Sequence, residues 1–248
     1  MSEEKIIFSV VIPCLNEALS LPGCLSEIRK AADVLNLPYE IVVADNNSTD
    51  DSARIAREYG ARVVSVAKRG YGSALHAGIL AARGQVVVFA DADGSYPFCD
   101  LARFITPVLN NQADMVLGNR LNNTLQKDAM PWLNRWFGTP FLSFVLRTLY
   151  PIAVYDCNGG MRAVKRSLYE ELSLKQPGME FASEMLLRAG KKNWRYVEIP
   201  ISLRPAHPSH KPHLRPFKDG FRHLFTLLKF RFLIKNKLFG FAFFCRFC

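Results

Sequence analysis

The chain has 248 residues, 49% hydrophobic and 22% charged, which suits one sizeable α/β core and is too short for two ordinary domains with a linker. It has no low-complexity tract or long internal period, so disordered and solenoid architectures are excluded. Lys+Arg 32 against Asp+Glu 22 leaves +10, a sign that points to an anionic partner.

Met1–Lys5 is polar, without the apolar stretch of a secretory signal, and the six cysteines are scattered. A reducing, cytosolic setting is expected. Ile6–Ile12 reads as a first strand, and Leu21, Leu25, Ile28 and Ala32 then recur at helical spacing. Tyr39–Ala44 is a second strand ending at Asp45. Ser48-Thr49-Asp50 starts a helix that carries Ala53, Ile55, Ala56 and Tyr59 and stops at Gly60. Ala61–Val66 is a third strand, Gly70-Tyr71-Gly72 opens a helix through Ala82, and Val86–Ala90, apolar throughout, is a central fourth strand. The alternation predicts a Rossmann-like α/β fold, a mostly parallel sheet flanked by helices.

The second half is less regular. Met115–Gly118 is a strand, Pro131–Tyr150 an apolar helical stretch with Trp132 and Trp136 one turn apart, Glu180–Lys191 a helix, and Tyr196–Ile201 a last strand. Pro200, Pro205, Pro208, Pro212 and Pro216 mark a loop. Residues 199–248 hold ten Lys/Arg and a single acid, Asp219, interleaved from Phe217 onward with Phe and Leu. That mixture describes a membrane-interface segment, although no uncharged run reaches the ~18–20 residues of a spanning helix. We therefore expect a catalytic domain over 1–215 and a basic, Phe-rich tail over 216–248. Cys245 and Cys248 have CxxC spacing but no second pair to complete a zinc site.

Ligands of open α/β sheets bind at the carboxyl ends of strands, and here those ends are acidic. Strand one is followed by Pro13-Cys14-Leu15-Asn16-Glu17, strand two by Asp45-Asn46-Asn47-Ser48-Thr49-Asp50, and strand four by Asp91-Ala92-Asp93-Gly94-Ser95. Acids converging on one edge repel one another unless a cation or ligand donors fill the gap. Asp91 and Asp93, two apart on a turn, suit a hard cation such as Mg²⁺ or Mn²⁺; the alternative is an Asp-Gly turn. Gly70-Tyr71-Gly72 lacks the third glycine of a dinucleotide fingerprint, and no P-loop sequence exists. Lys68, Arg69 and Gly72 either place a helix N-terminus near a pyrophosphate or form a tight turn.

Ser9-Val-Val-Ile-Pro-Cys-Leu-Asn-Glu17, Ile41-Val-Val-Ala-Asp-Asn-Asn-Ser-Thr-Asp50, Gly70-Tyr-Gly-Ser-Ala-Leu75 and Val88-Phe-Ala-Asp-Ala-Asp93, in this order, resemble the inverting family 2 glycosyltransferases of GT-A fold. Asp156-Cys-Asn-Gly-Gly-Met-Arg162, Gly178-Met-Glu-Phe-Ala-Ser-Glu184, Glu198-Ile-Pro200 and His213–Leu224 resemble the dolichol-phosphate mannose and glucose synthase branch. The resemblance implies transfer of a sugar from a UDP- or GDP-sugar to polyprenyl phosphate, with Mg²⁺ or Mn²⁺, at the cytoplasmic face of a membrane. It implies nucleotide contacts at Pro13, Asn16, Glu17, Asp45, Asn46, Lys68, Gly72 and Asp91, with Asn46 standing where an acid is frequent. A metal falls to Asp91 and Asp93, with Ser95 where a Gln is usual. Arg120 and Arg135 fall at acceptor-phosphate positions, and Arg204, Lys211 and Arg215 on a closing flap. Glu184 either orients an acceptor-side Arg or a sugar hydroxyl, or forms a solvated pair with Glu180.

A phosphate monoester titrates near pH ~6, so it is already a nucleophile at neutral pH and needs no strong general base. Pro140–Tyr155 and the Phe-rich tail are expected at the membrane, with Trp132 and Trp136 at headgroup depth. The rival readings are a family member with a saccharide or glycolipid acceptor, a nucleotidyltransferase, and a non-catalytic basic module for RNA or anionic lipid. Nucleic acid is not expected as the partner.

Overall fold

Seven strands of the described residues form one sheet in the order β3-β2-β1-β4-β6-β5-β7. They are β1 (Phe8–Cys14), β2 (Tyr39–Asp45), β3 (Arg62–Ser65), β4 (Val86–Phe89), β5 (Met115–Asn119), β6 (Arg162–Lys165) and β7 (Tyr196–Pro200). The computed structural model describes residues 5–122, 126, 129–150, 152–208 and 219–230. β1 pairs in parallel with β2 and β4, β2 with β3, and β5 with β7, while β6 runs antiparallel between β4 and β5. The expected mostly parallel sheet flanked by helices is therefore present.

The helices are α1 (Leu21–Leu35), α2 (Ser52–Glu58), α3 (Tyr71–Ala81), α4 (Leu101–Leu109), α5 (Thr139–Leu149), α6 (Arg166–Tyr169) and α7 (Phe181–Lys191), and residues 219–230 are also helical. Alternate strand residues face opposite layers. Val10, Ile12 and Val88 pack with Leu25 and Ile28 of α1, Ala56 of α2 and Phe104 of α4. Val11, Val87 and Phe89 pack with Leu75 and Ile79 of α3, Leu142 of α5, Leu186 of α7 and Leu227. Cover on both faces explains why β1 and β4 are buried along their whole length, without an alternating exposed face.

Several local expectations change. The helix expected from Ser48 begins at Ser52, because Ser48 Oγ accepts the Asn16 N–H and Asp50 accepts the N–H groups of Ala18 and Ser52. Helix α4, which contains Pro107, and the four-residue β6 went unread in the sequence. Pro131–Tyr150 divides into a π-helical turn, Asn134–Gly138, and α5. The described part of the expected tail, the helix over 219–230, packs on the core through Leu227, Leu224 and Phe230. It turns Asp219, His223, Thr226 and Leu227 inward and leaves Phe221 and Phe225 70% and 66% exposed, and the Tyr150 hydroxyl donates to the Leu227 carbonyl. Residues 216–218 and 231–248, with Cys245 and Cys248, lie outside the described residues, as does the expected boundary at 215. Among the described residues no helix is long and apolar enough to cross a membrane.

Candidate active site

Because β2, β1 and β4 lie side by side and parallel, the loops that leave them share one edge. A cavity of about 910 Å³ opens there, lined by Pro13, Glu17, Asn46, Asp91, Asp93 and Ser95 from these loops. Arg120, Leu142, Ala182 and His223, from the second half of the chain, line it too.

The turn after β4 is held on several sides. Asp91 Oδ1 accepts the Tyr71 hydroxyl at 2.8 Å; burial, followed by the Asp91 charge, keeps that phenol far above its usual range and thus a donor. A Cβ on Gly160 would lie 2.8 Å from Asp91 Oδ2 and 2.9 Å from Tyr96 Oη, so only glycine permits this approach. Asp93 Oδ1 accepts the Ser95 N–H at 2.9 Å, and the Asp93 carbonyl accepts the His207 N–H at 2.8 Å. Two carboxylates and the buried Ser95 hydroxyl are hard oxygen donors. Among the described residues no group of three or more His, Cys, Asp or Glu could hold a metal by itself. The set fits Mg²⁺ or Mn²⁺, which bind through one or two carboxylates and complete the shell with ligand oxygens and water.

On the nucleotide side, Pro13, Glu17 and Asn46 line the wall. The Ser20 hydroxyl donates to Glu17 Oε2 at 2.6 Å. Asn46 is a clasp: Nδ2 donates to the Val66 and Lys68 carbonyls at 3.0 and 2.8 Å, and Oδ1 accepts the Gly70 N–H at 2.7 Å. An acid there would lose both donors. Asn16, Asp45, Lys68 and Gly72 are placed off the wall. Asn16, at φ 59°, accepts the Thr49 N–H, and Asp45 accepts the Ser48 N–H. Lys68 is exposed, and Arg69 lines the cavity instead. A Cβ on Gly72 would stand 2.5 Å from the Gln176 carbonyl oxygen, so this glycine lets α3 pack on the 176–178 loop.

Across the cavity Arg120 binds Asp156 twice, Nε to Oδ2 at 2.8 Å and Nη2 to Oδ1 at 2.9 Å. Burial works to raise the Asp156 carboxyl, but the Arg120 charge and hydrogen bonds hold it below the usual carboxylate range. Glu198 accepts the N–H groups of Tyr155 and Asp156 at 2.9 Å each, and burial pushes its carboxyl up. Arg162 is 1% exposed and donates to the carbonyls of Cys157, Gly159 and Ala182, tying this loop to α7.

The other expected cations and acids sit elsewhere. Arg135 lies over the Trp136 ring at 5.3 Å, off the wall that Asn134, Gly138 and Thr139 of the same turn help form. Glu184 is buried, pairs with Arg188 at 2.8 Å and accepts the Lys175 and Gln176 N–H groups. It clamps a loop, and it is not a solvated acid. The Arg204 guanidinium binds Glu27 at 2.7 Å and the Gly94 carbonyl at 2.5 Å, so it supports the Asp93–Ser95 turn from behind. Lys211 and Arg215 lie outside the described residues. Tyr71, Tyr96, Gly160, His207 and His223 were not singled out as site residues from the sequence. The Gly70–Leu75, Asp156–Arg162 and His213–Leu224 motifs nevertheless contain Tyr71, Gly160 and His223.

The sequence matches the family described as Glycosyl transferase family 2 over residues 9–173. It is 36% identical over 228 residues to the low-salt glycan biosynthesis hexosyltransferase Agl6 of Haloferax volcanii, covering 92% of this chain and 53% of that protein. The chain thus spans about half the length of that relative. It is 32% identical over 212 residues to the dolichyl-phosphate hexose transferase of the same organism, covering 86% and 88% of the two chains. Among solved structures, glucosyl-3-phosphoglycerate synthase from Mycobacterium tuberculosis, in complex with Mn²⁺, UDP and phosphoglyceric acid, aligns at TM-score 0.69 and 24% identity over 91% of this chain and 78% of that one. This last likeness is one of fold.

Proposed function

The chain belongs to glycosyl transferase family 2, and we propose that it moves a hexose of the glucose or mannose class from a UDP- or GDP-sugar to polyprenyl phosphate. The transfer inverts the anomeric carbon and uses Mg²⁺ or Mn²⁺. One observation carries the lipid acceptor: Pro131, Asn134, Gly138 and Leu142 line the cavity, while Trp132, Trp136, Phe137, Phe141 and Phe144 of the same segment are exposed. An apolar apron at the mouth of a charged cavity suits a phosphate whose tail stays in a membrane, and it favours peripheral docking at the cytoplasmic face.

The acceptor phosphate oxygen forms the new bond to the anomeric carbon as the bond to the nucleoside diphosphate breaks. Arg120, kept charged by Asp156, holds the acceptor phosphate, and no residue need remove a proton because the dianion is the nucleophile. Arg69 and the amino end of α3 are the protein's own positive groups for the diphosphate. A divalent cation on Asp91 and Asp93, when bound, neutralises charge on the departing diphosphate. Pro13 and Glu17 hold the nucleoside.

The test is a panel of labelled UDP- and GDP-sugars with polyprenyl phosphate and Mg²⁺ or Mn²⁺, counted for label in the organic phase, beside a soluble phosphorylated acceptor. Label should partition with the lipid and disappear with Asp93→Ala. Transfer only to the soluble acceptor, or full activity of D93A, refutes the reading.

A further inference from the structure

We propose that His223 contacts the acceptor, donating from Nε2 to a phosphate oxygen, and that Ser183 is the positioning residue that sets its tautomer. This rests on the polyprenyl-phosphate reading above.

His223 lines the cavity from the helix over 219–230, and its Nδ1 is 2.7 Å from Ser183 Oγ, which is buried in α7. A serine hydroxyl has one hydrogen to donate. Among the described residues His223 Nδ1 is its only hydrogen-bond partner. If Nδ1 carried the proton, the buried hydroxyl hydrogen would be left without an acceptor, a costly state. The satisfied arrangement has Ser183 donating to Nδ1, which puts the ring proton on Nε2.

Nε2 makes no hydrogen bond to another described residue and is not among the buried unpaired atoms, so it is accessible on a side chain that lines the cavity. The charged groups acting on the ring are Asp219, one turn earlier on its own helix, and Arg162 of β6. Burial, the largest influence, pushes the imidazole down to about 4. It therefore serves as a neutral N–H donor at physiological pH. Arg162 donates to the Ala182 carbonyl, next to Ser183, and to the Cys157 carbonyl, next to Asp156, which holds Arg120. These links put His223 on the acceptor side, where an N–H donor complements a phosphate oxygen.

His223→Asn and His223→Gln separate contact from latch. The Asn amide reaches about as far as Nδ1 and keeps the Ser183 bond, whereas the Gln amide reaches about as far as Nε2 and keeps the donor. With the nucleotide-sugar saturating, H223N should raise the acceptor KM about tenfold, the loss of one hydrogen bond to a charged group. H223Q should stay within about threefold of wild type, and the donor KM should not move in either. The reverse ranking, or no difference between the two, overturns the contact. Ring-nitrogen NMR of the wild type titrated with farnesyl phosphate gives a second decision if a variant fails to fold. The Nε2–H resonance should shift on binding, and a proton found on Nδ1 overturns the tautomer. Ser183→Ala should mix the two tautomers in the same spectrum. A wild-type protein that gives no sugar to polyprenyl phosphate overturns the acceptor reading itself, whereas an active wild type with an unsplit Asn/Gln pair overturns only the role of His223.

Discussion

The Tyr71 hydroxyl donates to Asp91 Oδ1 across 2.8 Å, so the first residue of α3 orients the first carboxylate beyond β4. Tyr71→Phe keeps the ring and removes only the donor. A hydrogen bond to a charged group contributes about 1.5–3 kcal/mol. We expect kcat to fall at least tenfold and the Mn²⁺ concentration for half-maximal rate to rise, with a small change in Tm. Rates measured across a metal titration decide; an unchanged metal curve would separate Tyr71 from the Asp91 site.

Gly160→Ala places a methyl 2.8 Å from Asp91 Oδ2, and either the carboxylate or the loop must move. Overpacking of this kind costs about 1–3 kcal/mol. The expected result is activity down by two orders of magnitude with a folded protein, checked by calorimetry beside the transfer assay.

Asp156→Asn removes the partner of the Arg120 guanidinium, whose side chain is 13% exposed. Breaking a buried pair costs about 3–5 kcal/mol, so urea denaturation should show a loss of that order. Because the folded Asp156 carboxyl lies below its ordinary value, its contribution is present above the unfolded value of 3.8 and disappears as pH drops further. The wild-type advantage over D156N should therefore persist at pH ~5 and shrink only in stronger acid.

His223 works in the opposite sense to a paired histidine. Its folded value, about 4, lies below the ordinary 6.5, so between these limits the unfolded chain binds the extra proton and stability falls as pH falls. From pH ~7 to ~5 the loss is about 2 kcal/mol. H223Q should flatten that slope in denaturation curves recorded at both pH values; equal slopes would show that the imidazole is not buried in solution.

Trp136 and Phe225 are exposed, so Trp136→Ser with Phe225→Ser should leave Tm nearly unchanged. Flotation with anionic vesicles should nevertheless drop several-fold. Vesicle binding equal to wild type would remove these side chains from the proposed membrane face.

The strands and the acidic edge were readable because they are local. Val86–Ala90 followed by Asp91 and Asp93 needs only a parallel sheet to bring that turn beside Glu17 and Asp45, and the sheet follows from the alternation of apolar runs. Where the reading fell short, the partner was remote. Arg204 looked like a flap cation, but Glu27, 177 positions away, holds it. Glu184 was read as orienting an acceptor-side Arg or a sugar hydroxyl, or as pairing with Glu180 in solvent, yet its oxygens bind the Lys175 and Gln176 N–H groups. β6 was missed because four residues antiparallel between two other strands carry too little pattern to register.

The sequence by itself determined the family, the sheet and the pair of carboxylates, because short-range periodicity and ordered motifs encode them. Only the tertiary structure decided how each cation is held. Asp156 engages Arg120, Glu27 engages Arg204, and backbone carbonyls surround Arg162. It also turned part of the basic tail into a cavity wall. The physical reason is that a buried charge must find a compensating group wherever the folded chain supplies one, and spacing along the sequence does not show where that will be.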